Sequence, residues 1–116
     1  MATKEEVKQF LSNFFVKLEI YDILFRDDRG KNAKVFEVLD IVPSARKKII
    51  KEIKVEDYSE GPIVNTLNQM GDMWVFGKNI QGEEIYIKIS MGISNCSTIC
   101  ISFHIAEHPM KYPYKK

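Results

Sequence analysis

Four side chains that can move a proton or hold a negative charge occur at alternate positions near the end of the sequence. Tyr86 and Lys88 are two residues apart in one apolar segment, and Ser102 and His104 repeat that spacing in the next. Residues two apart along a β-strand point to the same face of a sheet. If the two segments are neighbouring strands, a phenol, an ammonium, a hydroxyl and an imidazole share one face.

These groups meet the chemical needs of RNA backbone cleavage by the substrate's own 2′-OH. That hydroxyl must lose a proton, the leaving 5′-oxygen must gain one, and the extra negative charge must be stabilised. His104 and Tyr86 can act as acid and base, and Lys88 can stabilise the charge. We therefore name His104, Tyr86 and Lys88 as candidate catalytic residues, in a reaction that needs no metal and no cofactor.

Other interpretations of the same residues stay open. Polar residues are common on exposed sheet faces, so each of the four is singly more often structural than catalytic. His104 and His108 have the i, i+4 spacing of a helical metal site, but Pro109 argues against a helix and further ligands are missing. There is no glycine-rich phosphate loop, nucleophile elbow or paired-carboxylate pattern. The alternative to a nuclease is a non-catalytic RNA- or protein-binding module that docks through this face.

Three segments of alternating apolar residues predict the antiparallel sheet that positions these side chains. The strands are expected at residues 73–78, 83–90 and 98–104. The pair Gln81-Gly82 fits a two-residue hairpin turn, which sets Trp74 opposite Ile89. A slip of one residue would set large apolar side chains opposite Lys88, so the pattern itself selects the register.

The alternation predicts one apolar and one polar face. Helices are expected to cover the apolar face, whose members are Trp74, Phe76, Ile85, Ile87, Ile89, Ile99, Ile101 and Phe103. The polar face comprises Val75, Gly77, Tyr86, Lys88, Cys100, Ser102 and His104. Because Gly77 lacks a side chain, a backbone or a ligand can come close to the polar face there.

Helices are expected in the first half of the chain. Residues 3–6 form a capping-box pattern, and an apolar stripe follows on a helix from about residue 4 to about residue 17. This stripe consists of Val7, Phe10, Leu11, Phe14 and Leu18. A short strand is expected within residues 20–25, then helices over residues 31–39 and from Ser44 to about Ile53. The charges of this last helix, Arg46 among them, are expected to be solvated or, alternatively, to form a phosphate-facing surface. Residues 57–62 and the segment to Asp72 are expected to be irregular connections.

These elements predict a single α+β domain over residues 1–116, with N-terminal helices packed on one face of a C-terminal antiparallel sheet. A chain of 116 residues is long enough to bury one core. The net charge of +1 is the sum of unevenly charged segments: the middle of the chain is basic, the third quarter is acidic and the last segment is basic. Such a balance argues against a purely electrostatic binder of nucleic acid.

The cysteines and the first residues of the sequence indicate the cellular compartment in which the protein is expected. Cys96 and Cys100 are the two cysteines, too few for a disulfide framework or a zinc knuckle, and they fit a reducing environment. The first residues are charged and include no apolar signal segment. No apolar run approaches the length of a membrane span. We therefore expect a cytoplasmic protein with no membrane partner.

The order of these elements resembles the MqsR family of toxins, which have the RelE-like fold of bacterial toxin–antitoxin systems. The resemblance covers about residues 5–104 and includes the amphipathic first helix, the connector at Asp57-Tyr58 and the tryptophan Trp74. The run Ile85-Tyr86-Ile87-Lys88-Ile89 is similar to the family's Val-Tyr-Leu-Lys-Ile type of segment. The run Ile101-Ser102-Phe103 is similar to its Val-Ser-Phe ending.

This resemblance implies a toxin that cuts messenger RNA as a sequence-selective, metal-independent endoribonuclease and is neutralised by a cognate antitoxin. Tyr86 and Lys88 match the family's sheet positions. His104 stands where the family has a catalytic-type lysine, Val75 stands where it has a glutamine, and the family's connector lysine has no match. Histidine suits that place because other RelE-like nucleases use one as acid or base. The resemblance thus implies either a diverged catalytic set or a loss of activity.

The last residues, 105–116, are expected to form an extended tail. Two prolines and two tyrosines interleaved with lysines are typical of a groove that holds single-stranded RNA by phosphate contacts and base stacking. The alternative is a tail that packs on the sheet edge or stays mobile. The candidate RNA-binding residues of the sheet and tail are Lys78, Ser102, Lys111, Tyr112 and Tyr114.

Overall fold

The chain opens with a long helix, α1 (Lys4–Tyr21), in a computed structural model that describes residues 1–26, 36–39, 41–42, 44–64 and 71–115. The predicted capping box closes its first turn. The Thr3 hydroxyl oxygen accepts from the Glu6 N–H at 3.1 Å, and the Glu6 carboxylate accepts from the Thr3 N–H at 2.9 Å. The predicted apolar stripe is buried, which confirms it. The helix runs past its predicted end and stops at Asp22, whose φ of 65° lies outside the helical region.

Within the described residues, five strands form one sheet in the order β1-β5-β4-β3-β2. The strands are β1 (Ile23–Phe25), β2 (Tyr58–Ile63), β3 (Met73–Ile80), β4 (Glu83–Ser90) and β5 (Thr98–Ile105). β1 runs parallel to β5, and the other neighbouring strands are antiparallel. The α+β prediction is confirmed, and the three predicted strands form the centre of a sheet that extends further at both edges.

The prediction of an irregular connection at residues 57–62 is wrong, because most of this stretch forms the edge strand β2. Tyr58 lies opposite Phe76, and Glu60 lies opposite Val75. Register shifts on both sides of Glu60 remove the alternation by which a strand is recognised. Gly61-Pro62 adds two residues that are depleted in strands, although an edge strand tolerates proline. A 3-10 turn, Val55–Asp57, precedes the strand.

The register predicted for the β3–β4 hairpin is confirmed. Trp74 lies opposite Ile89, and Phe76 lies opposite Ile87. Ile85, Ile87 and Ile89 are fully buried on the apolar face. Large apolar side chains thus select this pairing over one slipped by a single residue, which would have set them opposite Lys88 or Tyr86.

A β-bulge in β5 changes the faces predicted for the first half of that strand. Lys88 lies opposite Ser102, but Ile89 lies opposite Cys100, so Ile101 is the extra residue. Cys100 therefore belongs to the core cluster, whereas Ile101 is half-buried and Ile99 is buried outside that cluster. The predicted faces of Ile99, Cys100 and Ile101 are wrong for this reason. From Ser102 onwards the predicted faces hold.

The second helix whose bounds are described, α2 (Ala45–Lys51), follows Ser44 as predicted, although the Ser44 side chain makes no cap hydrogen bond. The prediction that Arg46 is solvated is wrong. Arg46 is 5% exposed, and its guanidinium lies 3.9 Å from the centroid of the Phe25 ring, a favourable cation–π contact. Within the predicted helix at 31–39, residues 36–39 are helical and the rest lies outside the described residues, as do residues 65–70 of the predicted loop.

The core lies between α1 and one face of the sheet. Phe10 stacks on Trp74 with ring centroids 4.4 Å apart, and Phe76 lies 6.2 Å from Phe10 on the same side. Since α1 covers this face, the side chains that point the other way, Tyr86 and Lys88 among them, are on the face opposite the helix. Within the described ranges, no helix has the length and apolar character needed to cross a membrane.

Candidate active site

The central strands bring the three candidate catalytic residues together. Tyr86 lies directly opposite His104, and Lys88 lies directly opposite Ser102. Facing residues on antiparallel strands have Cβ atoms about 4.5–5.5 Å apart. The bulge between Lys88 and Ile89 comes after both pairs, so it leaves this part of the predicted face intact.

The rings of Tyr86 and His104 form a stack. Their centroids are 4.9 Å apart, and their planes differ by 9°. The Nδ1 atom of His104 lies 2.9 Å from the backbone oxygen of Ile105. A carbonyl oxygen only accepts, so Nδ1 carries the proton in this contact. In a neutral ring the basic nitrogen is then Nε2.

A positive charge lies over the same stack. The Nζ atom of Lys88 is 5.7 Å from the centroid of the Tyr86 ring, within the range of a cation–π interaction. A cation at this distance favours an anion nearby, whether a phenolate or a phosphate oxygen. Two groups able to exchange protons and one cation therefore occupy adjacent positions on two strands.

These residues line a cavity of about 520 Å³ on the polar face. Its floor contains Tyr86, Lys88, Ser102 and His104, one side is formed by Ser59 and Glu60 of β2, and the other by residues 107–111 after β5. Ser102 is buried in the floor, whereas Tyr86, Lys88 and His104 are half-buried. We call this cavity the groove.

The charged side chains that line the groove balance one another. Two lysines and two glutamates line it, Lys88, Lys111, Glu60 and Glu107, and their formal charges cancel. Both histidines of the chain, His104 and His108, also line it. Their ring nitrogens add hydrogen-bonding groups that can meet a phosphate oxygen.

The candidate RNA-binding residues divide into two groups. Ser102 and Lys111 line the groove, whereas Lys78, Tyr112 and Tyr114 do not. The Lys78 ammonium lies 3.2 Å from both the Asp57 carboxylate and the Glu52 backbone oxygen.

Both tail tyrosines make contacts within the protein. The Tyr112 hydroxyl donates to Glu84 at 2.8 Å. The Tyr114 ring stacks on Tyr58 with centroids 5.7 Å apart, and its hydroxyl donates to the Ala2 backbone oxygen. Tyr112 and Tyr114 therefore pack against the protein, whereas the neighbouring Lys111 lines the groove.

Sequence reasoning missed one side of the groove. Ser59 and Glu60 reach the site through β2, whose irregular pairing and Gly61-Pro62 step give no strand pattern. The lining formed by residues 107–111 follows the last strand and has no periodicity that would place it. Lys111 was among the candidate RNA-binding residues, whereas His108 was considered only with His104 as a metal site, so its place in the groove was missed.

Comparisons with protein-family models, with curated proteins and with solved structures each return no match for this chain. The family resemblance therefore rests on the runs at residues 85–89 and 101–103 and on the order of the elements. Beyond that resemblance, a function can be argued only from the chemistry of the groove itself.

Proposed function

We propose that the protein is the toxin of a type II toxin–antitoxin system and cleaves messenger RNA as a metal-independent endoribonuclease. The observation that carries the proposal is the stack of Tyr86 and His104, with Lys88 beside it, in an open groove. A docking module would leave these side chains apart or covered. Here they lie together and line a cavity large enough for part of an RNA strand.

The proposed reaction is attack of the 2′-oxygen on the adjacent phosphorus. The 2′-OH gives its proton to the base of the pair, the new P–O2′ bond forms, and the P–O5′ bond breaks as the acid of the pair protonates the leaving oxygen. Nε2 of His104 and the phenol of Tyr86 are the two proton-transfer groups. The Lys88 ammonium stabilises the charge that builds up on the non-bridging oxygens.

Further contacts to RNA come from the two sides of the groove. Ser102 can donate from the floor, and Lys111 can neutralise a neighbouring phosphate from the tail side. Lys78, Tyr112 and Tyr114 contact other parts of the protein, so the proposed binding mode does not use them.

The toxin part of the proposal rests on the resemblance to the MqsR family and its RelE-like fold, and it implies a protein antitoxin. Expression of the chain alone should arrest bacterial growth, and co-expression of a small protein encoded by a neighbouring gene should relieve the arrest. Bacteria that express the His104→Ala variant should grow normally without that partner. Normal growth on expression of the unaltered, folded chain would contradict the toxin assignment.

The chemistry is tested with purified protein, a mixed-sequence RNA and EDTA. We expect internal cuts that leave a 2′,3′-cyclic phosphate upstream and a 5′-OH downstream, because the attacking group is the substrate's own 2′-OH. A 2′-O-methyl copy of the RNA should stay intact. Activity that disappears in EDTA and returns with magnesium would contradict the proposed chemistry. RNA binding without any cleavage would favour the non-catalytic binding module.

A further inference from the structure

Residues 106–115, which we call the strap, are fastened to the sheet through one glutamate. The Glu84 backbone oxygen accepts from the Ala106 N–H at 2.8 Å. Its carboxylate accepts from the Met110 N–H at 3.0 Å and from the Tyr112 hydroxyl at 2.8 Å. Three groups spread over seven residues of the strap therefore converge on Glu84.

Gly77 provides the space in which the strap lies. A Cβ atom at this position would be 2.3 Å from the Tyr112 hydroxyl oxygen and 2.8 Å from the Met110 sulfur. Gly77 lies in the middle of β3, and its φ is not positive. Alanine can therefore adopt the same backbone conformation without strain. Glycine at position 77 therefore allows the Tyr112 and Met110 side chains of the strap to lie close to β3.

Two tyrosines hold the C-terminal part of the strap. Burial, and then the neighbouring Glu84 carboxylate, raise the pKa of Tyr112, so its phenol stays protonated and keeps donating. Beyond it, the Tyr114 ring stacks on Tyr58, which is fully buried. The stretch that precedes these anchors, residues 107–111, forms one side of the groove.

We infer that the strap is a fixed wall of the groove and that Glu84, Gly77 and Tyr112 are positioning residues that hold His108 and Lys111 against the bound strand. The inference rests on the proposed function for its substrate, which is single-stranded RNA. Tyr86, Lys88 and His104 are positioned by β4 and β5, so loss of the strap leaves the acid–base pair in place. Strap variants should therefore weaken RNA binding and leave the chemical step unchanged.

Two variants test this inference, with a matched control. Gly77→Ala adds a methyl group that displaces the Tyr112 hydroxyl and the Met110 sulfur from their places on the sheet, and Tyr112→Phe removes the hydrogen bond to Glu84 and keeps the ring. Tyr21→Phe is the control, because its hydroxyl bonds Asn95 at 3.1 Å in another part of the molecule. The two readouts are amide hydrogen exchange in the strap and the steady-state constants for cleavage of a fluorescent mixed-sequence oligoribonucleotide.

We expect strap amides to exchange about tenfold faster in Tyr112→Phe, as loss of a hydrogen bond to a charged acceptor allows, with a larger effect in Gly77→Ala. Exchange within β4 should not change in either variant. The KM of Gly77→Ala should rise about tenfold while kcat stays within about twofold of the unaltered protein. The control should match the unaltered protein in both readouts.

Other results overturn the inference. Unchanged strap exchange in both variants would show that Glu84 and Gly77 do not hold the strap. A higher kcat/KM in Gly77→Ala would make the strap an obstacle to RNA instead of a wall, and a lower kcat at unchanged KM would place it in the chemistry. If the unaltered protein cuts no RNA, the proposed function fails and the claim that these residues fix the groove wall is decided by exchange alone.

Discussion

The stack of Tyr86 and His104 restricts where each ring can exchange a proton. Two rings 4.9 Å apart and nearly parallel present their faces to each other, while their polar atoms lie at the ring edges. In the proposed reaction, Nε2 of His104 and the phenol oxygen of Tyr86 would therefore each meet the RNA separately. That arrangement suits a reaction in which one group removes a proton and another supplies one at the opposite oxygen of the same phosphate.

Removal of either group should slow RNA cleavage without unfolding the protein. His104→Ala and Tyr86→Phe should each lower kcat by about 10²–10⁴, the usual loss for a general acid or base. His104→Ala should cost no more than the roughly 1 kcal/mol that a stacked aromatic pair contributes to stability. Tyr21→Phe is again the control. Cleavage at the unaltered rate in both variants would refute the assignment, and an unfolded variant would show that its residue is structural.

The raised pKa of Tyr112 predicts that the folded protein loses stability at alkaline pH. This pKa is raised in the folded protein, above the ordinary value of 10.0 that the unfolded chain retains. Above about pH 10 the unfolded state releases this proton while the folded state still holds it, so the folded protein loses stability as pH rises. Urea unfolding from pH 7 to 11 should show a steeper decline in the unaltered protein than in Tyr112→Phe. Parallel declines would contradict this link.

At the level of the elements, the strands that could be predicted are those with regular alternation. The β3–β4 register was visible because Trp74, Phe76, Ile87 and Ile89 allow one apolar face in one pairing. β2 was not visible, since its bulged pairing follows from contact with β3 and from no pattern of its own. The strap was predicted as an extended tail, but its packing depends on Glu84, which is distant in sequence. The common face of Tyr86, Lys88 and His104 could be predicted because these residues lie on the regular parts of β4 and β5.

The bulge in β5 predicts that two isoleucines, alike in the alternating pattern, differ in their contribution to stability. Ile87→Ala should lower the free energy of unfolding by about 2–5 kcal/mol, because Ile87 is fully buried in the core. Ile101→Ala should cost clearly less, since Ile101 is the half-buried extra residue. Urea denaturation of the two variants measures the difference. Equal losses would mean that Ile101 points into the core and that the bulge is misplaced.

For the molecule as a whole, the net charge of +1 limits what electrostatics can contribute to RNA binding. The helix α1 and the groove lie on opposite faces of the sheet, so charges on α1 are remote from a bound strand. Binding should then depend on the few cations that line the groove, principally Lys88 and Lys111. A protein of this kind should bind RNA with a weak dependence on salt.

The salt dependence of RNA binding can be predicted for an uncleavable 2′-O-methyl oligonucleotide at a pH where the histidines are neutral. Two neutralised phosphates on a single strand give a slope of log K against log[salt] of about −1.4. Lys111→Ala should reduce it to about −0.7, because one phosphate contact is lost. Lys8→Ala removes the same charge from α1, where Lys8 lies 3.6 Å from Glu5, and should leave the slope unchanged. A slope of about −4 or steeper, or an equal effect of both variants, would show that RNA lies on a basic surface outside the groove.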